Sequence, residues 1–318
     1  MATDEEAQKR IREKFDVAIR SESEQAITIY NEIINDYSDE PDVEIQELVA
    51  NALFNRAVTL TGRGQIYDGL ESYSEIVRRY SPNDSRVLRA EIAGALTNIG
   101  FEYGRQDRRD EAIESFRSAI RITEGEASSR LRVIWANAMS SYAHQLRIMG
   151  RDDEAMLVSS LLIDELTDDP DQAYDYAMGE ALFDRSILFK GRQQYDDELA
   201  DYERIKNRFD SFGSVAGEKY LLEAMYFAAL SYTERGLSDS AIDAYDKWLS
   251  RAGQSVIDVE SQYPIVLANK AMEMLRMLRV DEGIATLEEL INRCGDSREA
   301  EARKYVSMAR SSIKTLRK

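Results

Sequence analysis

Histidine and cysteine are nearly missing from this chain: one of each, His144 and Cys294, among 318 residues. A metal centre built on several histidines is therefore excluded, and so is an intramolecular disulfide. The lone cysteine fits a reducing compartment. Proline is also scarce, with four residues, and no strand-like alternation of apolar and polar residues occurs; both suit an all-α chain. No apolar run approaches the length of a membrane span. The stretch MATDEEAQKRIREKF carries no apolar leader segment, so the expected location is the cytoplasm, with no membrane partner. Positive charge is in short supply: 41 basic against 59 acidic residues gives a formal net charge of -18. That balance disfavours nucleic-acid backbones and favours a partner with basic segments, although acidic helical surfaces are also common for solubility alone.

Catalytic signatures are missing too. A Ser/His/Asp arrangement would have to use His144, and no nucleophile-elbow glycine pattern accompanies any serine. Gly62-Arg63-Gly64 lacks the Lys-Ser/Thr and the preceding strand of a phosphate loop. The clusters Asp152-Asp153-Glu154 and Asp168-Asp169-Pro170-Asp171 lack calcium-loop spacing and read as helix N-terminal charge compensation. The expectation is a non-enzyme without cofactor or metal.

What the chain does have is repetition. Ala52 to Ile76 and Ala181 to Ile205 match at 11 of 25 positions without a gap, and the offset between them is three times 43. Copies at one and two such steps follow. Small residues recur at one phase as Ala57, Gly100, Ala143, Ser186, Ala229 and, slipped by one, Ala271. Twelve residues on come Gly69, Ala112, Ala155, Ala241 and Gly283. Large residues recur three and four positions away, among them Leu60, Tyr103, Leu146, Phe189 and Tyr232, then Tyr73, Phe116, Tyr202 and Tyr245. This i, i+3, i+4, i+7 spacing predicts two amphipathic helices per copy, whose small residues let their backbones approach. Turns such as Thr61 to Gly64, Met149 to Asp152 and Glu234 to Gly236 separate the helices, with glycine in a left-handed conformation. A fixed period in the range of 20 to 50 residues marks a repeat array.

These residues resemble the tetratricopeptide repeat, in a long-period form of 43 residues. Gly100-x-x-Tyr103, Asp110-Glu111-Ala112, Phe116 and Ala119 are the closest fit, and the likeness covers roughly residues 23 to 291. It implies an all-α, right-handed α-solenoid of about seven helix-turn-helix hairpins plus a C-terminal capping helix. The departures are Glu198 at a small-residue position, and Ser159 and Leu287 in place of the aromatic. They predict less regular packing in those pairs.

The chain then divides as one domain, 1–318: an N-terminal capping hairpin over 1–43, the array over 44–291, and a capping helix over 292–318. Thr3-x-x-Glu6 predicts a capping box for the first helix, and Ser23 a cap for the second. Pro41 and Pro170 read as early helical positions after an acidic cap. Ser81 to Asp84 and Asp210 to Gly213 are expected loops. The extra repeat length should extend each first helix to about five turns. Pro264 predicts a late start or kink in its helix. Cys294 falls just past the last hairpin. In the final helix Ala302, Tyr305, Ala309, Ile313 and Leu316 form the inner face, opposite a basic outer side.

The resemblance also implies where a partner binds, since in this family the first helices line a concave groove that takes extended or helical peptides. That face maps to Asn51, Phe54 and Asn55, then Thr97, Asn98, Phe101 and Arg105, then Asn137, Ser141 and His144, then Phe183 and Asp184, then Tyr226 and Phe227. Asn55, Asn98, Ser141 and Asp184 share one phase. They form a polar ladder able to bond a peptide backbone, or, alternatively, to bond neighbouring turns. Arg105, Arg147 and Lys190 do not assemble a clamp for a carboxylate terminus. The expected function is a non-enzymatic scaffold or adaptor binding another protein or peptide. A self-associating structural solenoid, with homo-oligomers, and a regulatory sensor of a peptide or small ligand are the alternatives.

Overall fold

The computed structural model describes residues 4–80, 85–210, 214–255 and 257–318. Thr3 of the expected capping box lies outside them, as do the loops at 81–84 and 211–213. The described residues contain fifteen α-helices and no strand, and they form two compact units, Met1–Glu165 and Leu166–Lys318.

The first unit holds α1 (Asp4–Ile19), α2 (Ser23–Tyr37), α3 (Val43–Gly62), α4 (Ile66–Arg79), α5 (Arg86–Arg105), α6 (Arg109–Thr123), α7 (Ser129–Ile148) and α8 (Asp152–Leu166), whose last residue passes into the second unit. The second holds α9 (Asp175–Gly191), α10 (Tyr195–Phe209), α11 (Val215–Glu234), α12 (Ser238–Ala252), α13 (Tyr263–Arg276), α14 (Val280–Cys294) and α15 (Ala300–Leu316). The helices alternate as seven pairs and a final single helix, the number that the repeat period predicts. The repeat phase runs through the boundary between the units.

The core follows the periodic frame. Ala57, Gly100, Ala143, Ser186, Ala229 and Ala271 are all buried, as are Tyr73, Phe116, Tyr202, Tyr245 and Leu287. Gly100 shows why a small residue is needed: a Cβ there would lie 2.6 Å from Cε1 of Phe116, so any side chain displaces the ring. Glu198 does not loosen its pair. It is fully buried beside the small Ser186 phase and accepts hydrogen bonds from Ser231 (2.9 Å) and Tyr202 (3.3 Å). Burial pushes its carboxyl above the ordinary range. Because the folded value is raised, its contribution to stability is present in acid and fades as pH rises through that value.

Six helix ends share one turn. Gly64, Asp107, Gly150, Gln193, Gly236 and Leu278 all adopt positive φ, between 59° and 79°, at the repeat spacing. In each, the next amide donates to the carbonyl five residues back, as Gln65 does to Leu60 and Arg279 to Met274, both at 2.9 Å. This is the Schellman closure of a helix. The three turns expected to use glycine do so, and the other three close without one. Leu278 is the strained case, a γ-branched residue at φ 60° that is 85% exposed and so gains little packing. Asparagine tolerates this conformation far better. Leu278→Asn is therefore expected to stabilise the protein by about 1 kcal/mol in urea unfolding.

The four first helices α3, α5, α7 and α11 have 20 residues each, matching the expected five turns. Helix α13 starts late, as Pro264 predicts: it has 14 residues, with proline in its first turn and a 3₁₀ turn over Glu260–Gln262 before it. Other details differ from expectation. Pro41 and Pro170 precede their acidic caps. Asp42 accepts from the amide of Ile45, and Asp171 from that of Ala173, so each proline sits just outside the helical turn. Ser23 is the first residue of α2, and Glu22 precedes it without a side-chain cap bond. Cys294 ends α14 rather than following it, and is buried. In α15 the buried face is Ala302, Val306, Ala309 and Ile313; Tyr305 is only half-buried and Leu316 is exposed.

Ion pairs tie first helices to second helices at matching phases. In the second unit Arg208 pairs with Asp175 (3.3 Å), Arg251 with Glu218 (2.5 Å) and Arg293 with Glu260 (3.0 Å), always at the same sequence separation. Each acid sits in the first turn of its first helix or just before it, and each arginine sits near the end of its second, so both complement the helix dipoles. The first unit reverses this at the same phase, with Arg132 in the first turn of α7 and Glu165 at the end of α8, 3.4 Å apart.

Candidate functional site

The residues expected to form a binding face lie on first helices in both units, and burial separates them into two groups. Thr97, Ser141 and Asp184 are buried, with at most 6% of their surface exposed. Thr97 turns its hydroxyl back to the carbonyl of Ala93 (2.8 Å). Asn51, Phe54, Asn55, Asn98, Phe101, Asn137, His144, Phe183, Tyr226 and Phe227 are half-buried, and Arg105 is exposed.

Several of these side chains also hold the array together. Asn51 donates to the carbonyl of Glu47 (3.0 Å) within its own helix. Phe54 meets Tyr73 edge-on at 5.5 Å, and Phe101 meets Phe116 in the same way at 5.5 Å. The hydroxyl of Tyr73, on α4, has Thr61 and, on the next first helix, Asn98 as polar neighbours. Asn269 repeats the relation in the second unit, donating to the hydroxyl of Tyr226 at 3.5 Å with that of Tyr245 as a neighbour. The asparagine phase thus joins one hairpin to the next, and burial lifts Tyr73 to about 12. Arg105 forms an ion pair with Glu102 (3.2 Å). The buried Oδ1 of Asn137 has no hydrogen-bond partner.

In the second unit the face is aromatic and acidic together. Phe183 on α9 packs against Phe227 on α11 at 5.1 Å, and Phe227 against Tyr226 at 5.5 Å, both edge-on. Glu180 and Glu223 occupy one repeat phase on these two helices, with Asp184 one turn along α9 from Glu180. Burial and the charge of Asp184 push the Glu223 carboxyl up, while Lys219, 3.9 Å away, pulls it down. Tyr176 donates to Glu180 at 3.0 Å. Burial and four acidic or phenolic neighbours raise Tyr220 far above its usual value. Negative potential and aromatic surface therefore coincide, a combination that favours a desolvated cation.

A second feature lies on the other side of the first unit and was not expected. An open pocket of about 780 Å³ is floored by Trp135, Met139 and Tyr142 of α7, and walled by Ile120 of α6 and by Val158 and Leu161 of α8. Arg117, Arg121 and Arg132 line it together with Glu124, Glu126 and Glu165. The sequence signal for it is a comparison between copies. Leu157 and Leu161 are 61% and 54% exposed, whereas their phase holds Glu71 and Glu75, Glu114 and Ser118, Ala200 and Arg204, and Asp243 and Lys247 elsewhere.

Among solved structures, the apo form of RapI aligns with a TM-score of 0.67 at 13% identity, over 94% of this chain and 79% of its own. The apo form of the quorum sensor NprR from B. thuringiensis aligns at 0.57 and 13% identity, over 96% and 80%. A tetratricopeptide repeat protein from Parabacteroides merdae aligns at 0.52 and 18% identity, over 86% and 87%. The fold is of the tetratricopeptide-repeat type. No family model matches the chain, and no curated protein matches it. Within this tetratricopeptide-type array, no group of three or more histidine, cysteine or acidic side chains could hold a metal ion among the described residues. None of the described helices is long and apolar enough to cross a membrane.

Proposed function

We propose that the protein is a non-enzymatic interaction module whose first-helix face, centred on α9 and α11, binds a basic segment of another protein or peptide. The observation that supports this is the coincidence of Phe183, Tyr226 and Phe227 with Glu180 and Glu223 on neighbouring helices. A lysine or arginine of the partner would lie over the rings and against the carboxylates, while its backbone meets polar side chains of the face. The net charge of -18 would steer such a segment inward and raise its association rate at low salt. In this reading 1–318 acts as one module, with 1–43 and 292–318 as its caps.

Panning a random-peptide display library on the folded protein tests this. Enriched sequences are expected to carry lysine or arginine next to apolar or aromatic residues. Their binding should weaken with added salt, and also as pH falls, because protonation removes the negative charge. The raised carboxyl of Glu223 should begin to titrate above the ordinary carboxylate range. Enrichment of acidic or purely apolar peptides would overturn the proposal.

A further inference from the structure

A cavity of about 160 Å³ opens between α10, α11 and α12 of the second unit and shares no residue with the proposed peptide-binding face. We infer that it is a binding site for a small neutral aromatic molecule, a single ring of the size of phenol. The repeat shows why the cavity exists. One position before the small phase, the five other full copies carry a large side chain: Arg56, Ile99, Tyr142, Arg185 and Lys270. The α11–α12 copy alone has an alanine there, Ala228, and it has Ala244 where the α9–α10 copy has Asp201. Elsewhere the chain fills this place itself: Arg185 and Asp201 are buried against each other, and Ile99 is buried too. In the α11–α12 copy both side chains end at Cβ, and both alanines line the cavity.

Size and lining select the guest. A cavity of roughly 150 Å³ with apolar walls takes one benzene-sized molecule, whereas drug-sized ligands need about 300 Å³ or more. Tyr202 and Tyr232 offer aromatic surface, and Met225 a polarisable sulfur, so a ring gains more here than an aliphatic chain of equal volume. Ser240 adds a hydroxyl to the lining, a partner for the polar group of a phenol. The four charged residues of the lining pair off within their own helices, Lys206 with Glu203 at 3.0 Å and Lys247 with Asp243 at 2.6 Å. They leave no net charge to hold an ion. A charged guest would lose its hydration without a counter-charge in return. A neutral ring meets no such cost.

Phenol is the probe, since a phenolic hydroxyl with a pKa of about 10 is neutral at pH 7. Titration into the full chain is followed by NMR of ¹³C-labelled methionine methyl groups. The Met225 signal, assigned by its loss in Met225→Leu, should shift and saturate with a dissociation constant of about 1 mM or below. Benzoate and benzylammonium should each bind about 10-fold more weakly or worse. Ala228→Ile installs the residue of the α5–α6 copy and should weaken phenol binding about 10-fold or more, with a thermal melt that holds or rises. Ala244→Val installs the residue of the α7–α8 copy, and it decides the matter if the isoleucine variant does not fold. A wild type whose Met225 signal stays in place overturns the inference. So does a folded filling variant that binds phenol as the wild type does, or a charged ring that binds as tightly as phenol.

Discussion

Asp201→Ala should cost the protein about 3–5 kcal/mol, one of the two largest effects expected of any single substitution here. Asp201 and Arg185 form a two-pronged ion pair, Nε to Oδ2 at 2.8 Å and the terminal nitrogen to Oδ1 at 2.7 Å, with the side chains only 1% and 7% exposed. Arg204 adds a bond to the same carboxylate at 3.0 Å. Removing the acid takes a two-pronged carboxylate from a buried guanidinium, which is why breaking such a pair costs more than the pair itself contributes. Replacing both partners with apolar residues, as Arg185→Met with Asp201→Leu, should recover most of the loss. Urea unfolding followed by circular dichroism and by the emission of the buried Trp248 on α12 measures both variants. A loss below about 1 kcal/mol for Asp201→Ala would mean that the pair behaves like a surface one. The first unit makes the matching contact differently. Arg56, at the same phase three repeats before Arg185, bonds Ser72 at 3.1 Å, Asn31 at 2.9 Å and Glu75 at 3.5 Å. With a serine in place of the acid, the arginine spreads its bonds over two helices, α2 and α4.

Reversing charge on the proposed peptide face should have the larger effect on binding. Glu180→Lys with Glu223→Lys would turn an acidic aromatic surface into a basic one, and affinity for a basic peptide should fall about 100-fold, equivalent to two factors of about 1.4 kcal/mol. Glu180→Gln with Glu223→Gln should fall less and lose most of its salt dependence, since charge is removed without repulsion. Phe183→Ala tests the rings, although its edge-on contact with Phe227 means that part of its effect will be on local packing. Isothermal calorimetry separates affinity from folding, provided the thermal melts are unchanged. Equal affinities for the wild type and the lysine variant would remove the second unit's face from the account.

Most of the fold was legible because a repeat states the same physical requirement several times. The buried small phase, the large residues around it and the seven hairpins all follow from a period of 43. The late start of α13 follows from one proline. Finer features depend on backbone geometry that composition does not carry. The positive-φ turn recurs at Asp107, Gln193 and Leu278 without glycine, because its Schellman hydrogen bonds outweigh the local strain. The ion pairs of Arg208, Arg251 and Arg293 join helix ends that only the folded hairpin brings together.

The candidate sites were legible to different degrees. Helical phase placed the aromatic residues on the first-helix face but did not show that Thr97, Ser141 and Asp184 lie under it. Nor did it show that Asn98 neighbours Tyr73 of the preceding hairpin. Those outcomes depend on how the neighbouring helices pack, which the repeat phase alone does not state. The pocket beside α8 was visible in principle. Leu157 and Leu161 stand at exposed positions that four other second helices fill with polar or small residues, and a search confined to the first-helix face passes over them.

The most direct test of peptide recognition is hydrogen–deuterium exchange of the whole chain, with and without a basic peptide selected by display. If the face on α9 and α11 binds it, slowed exchange should concentrate in Asp175–Gly191 and Val215–Glu234, and the lysine variant should show none. Protection confined to α6 and α8, or absent from both first helices, would contradict the account.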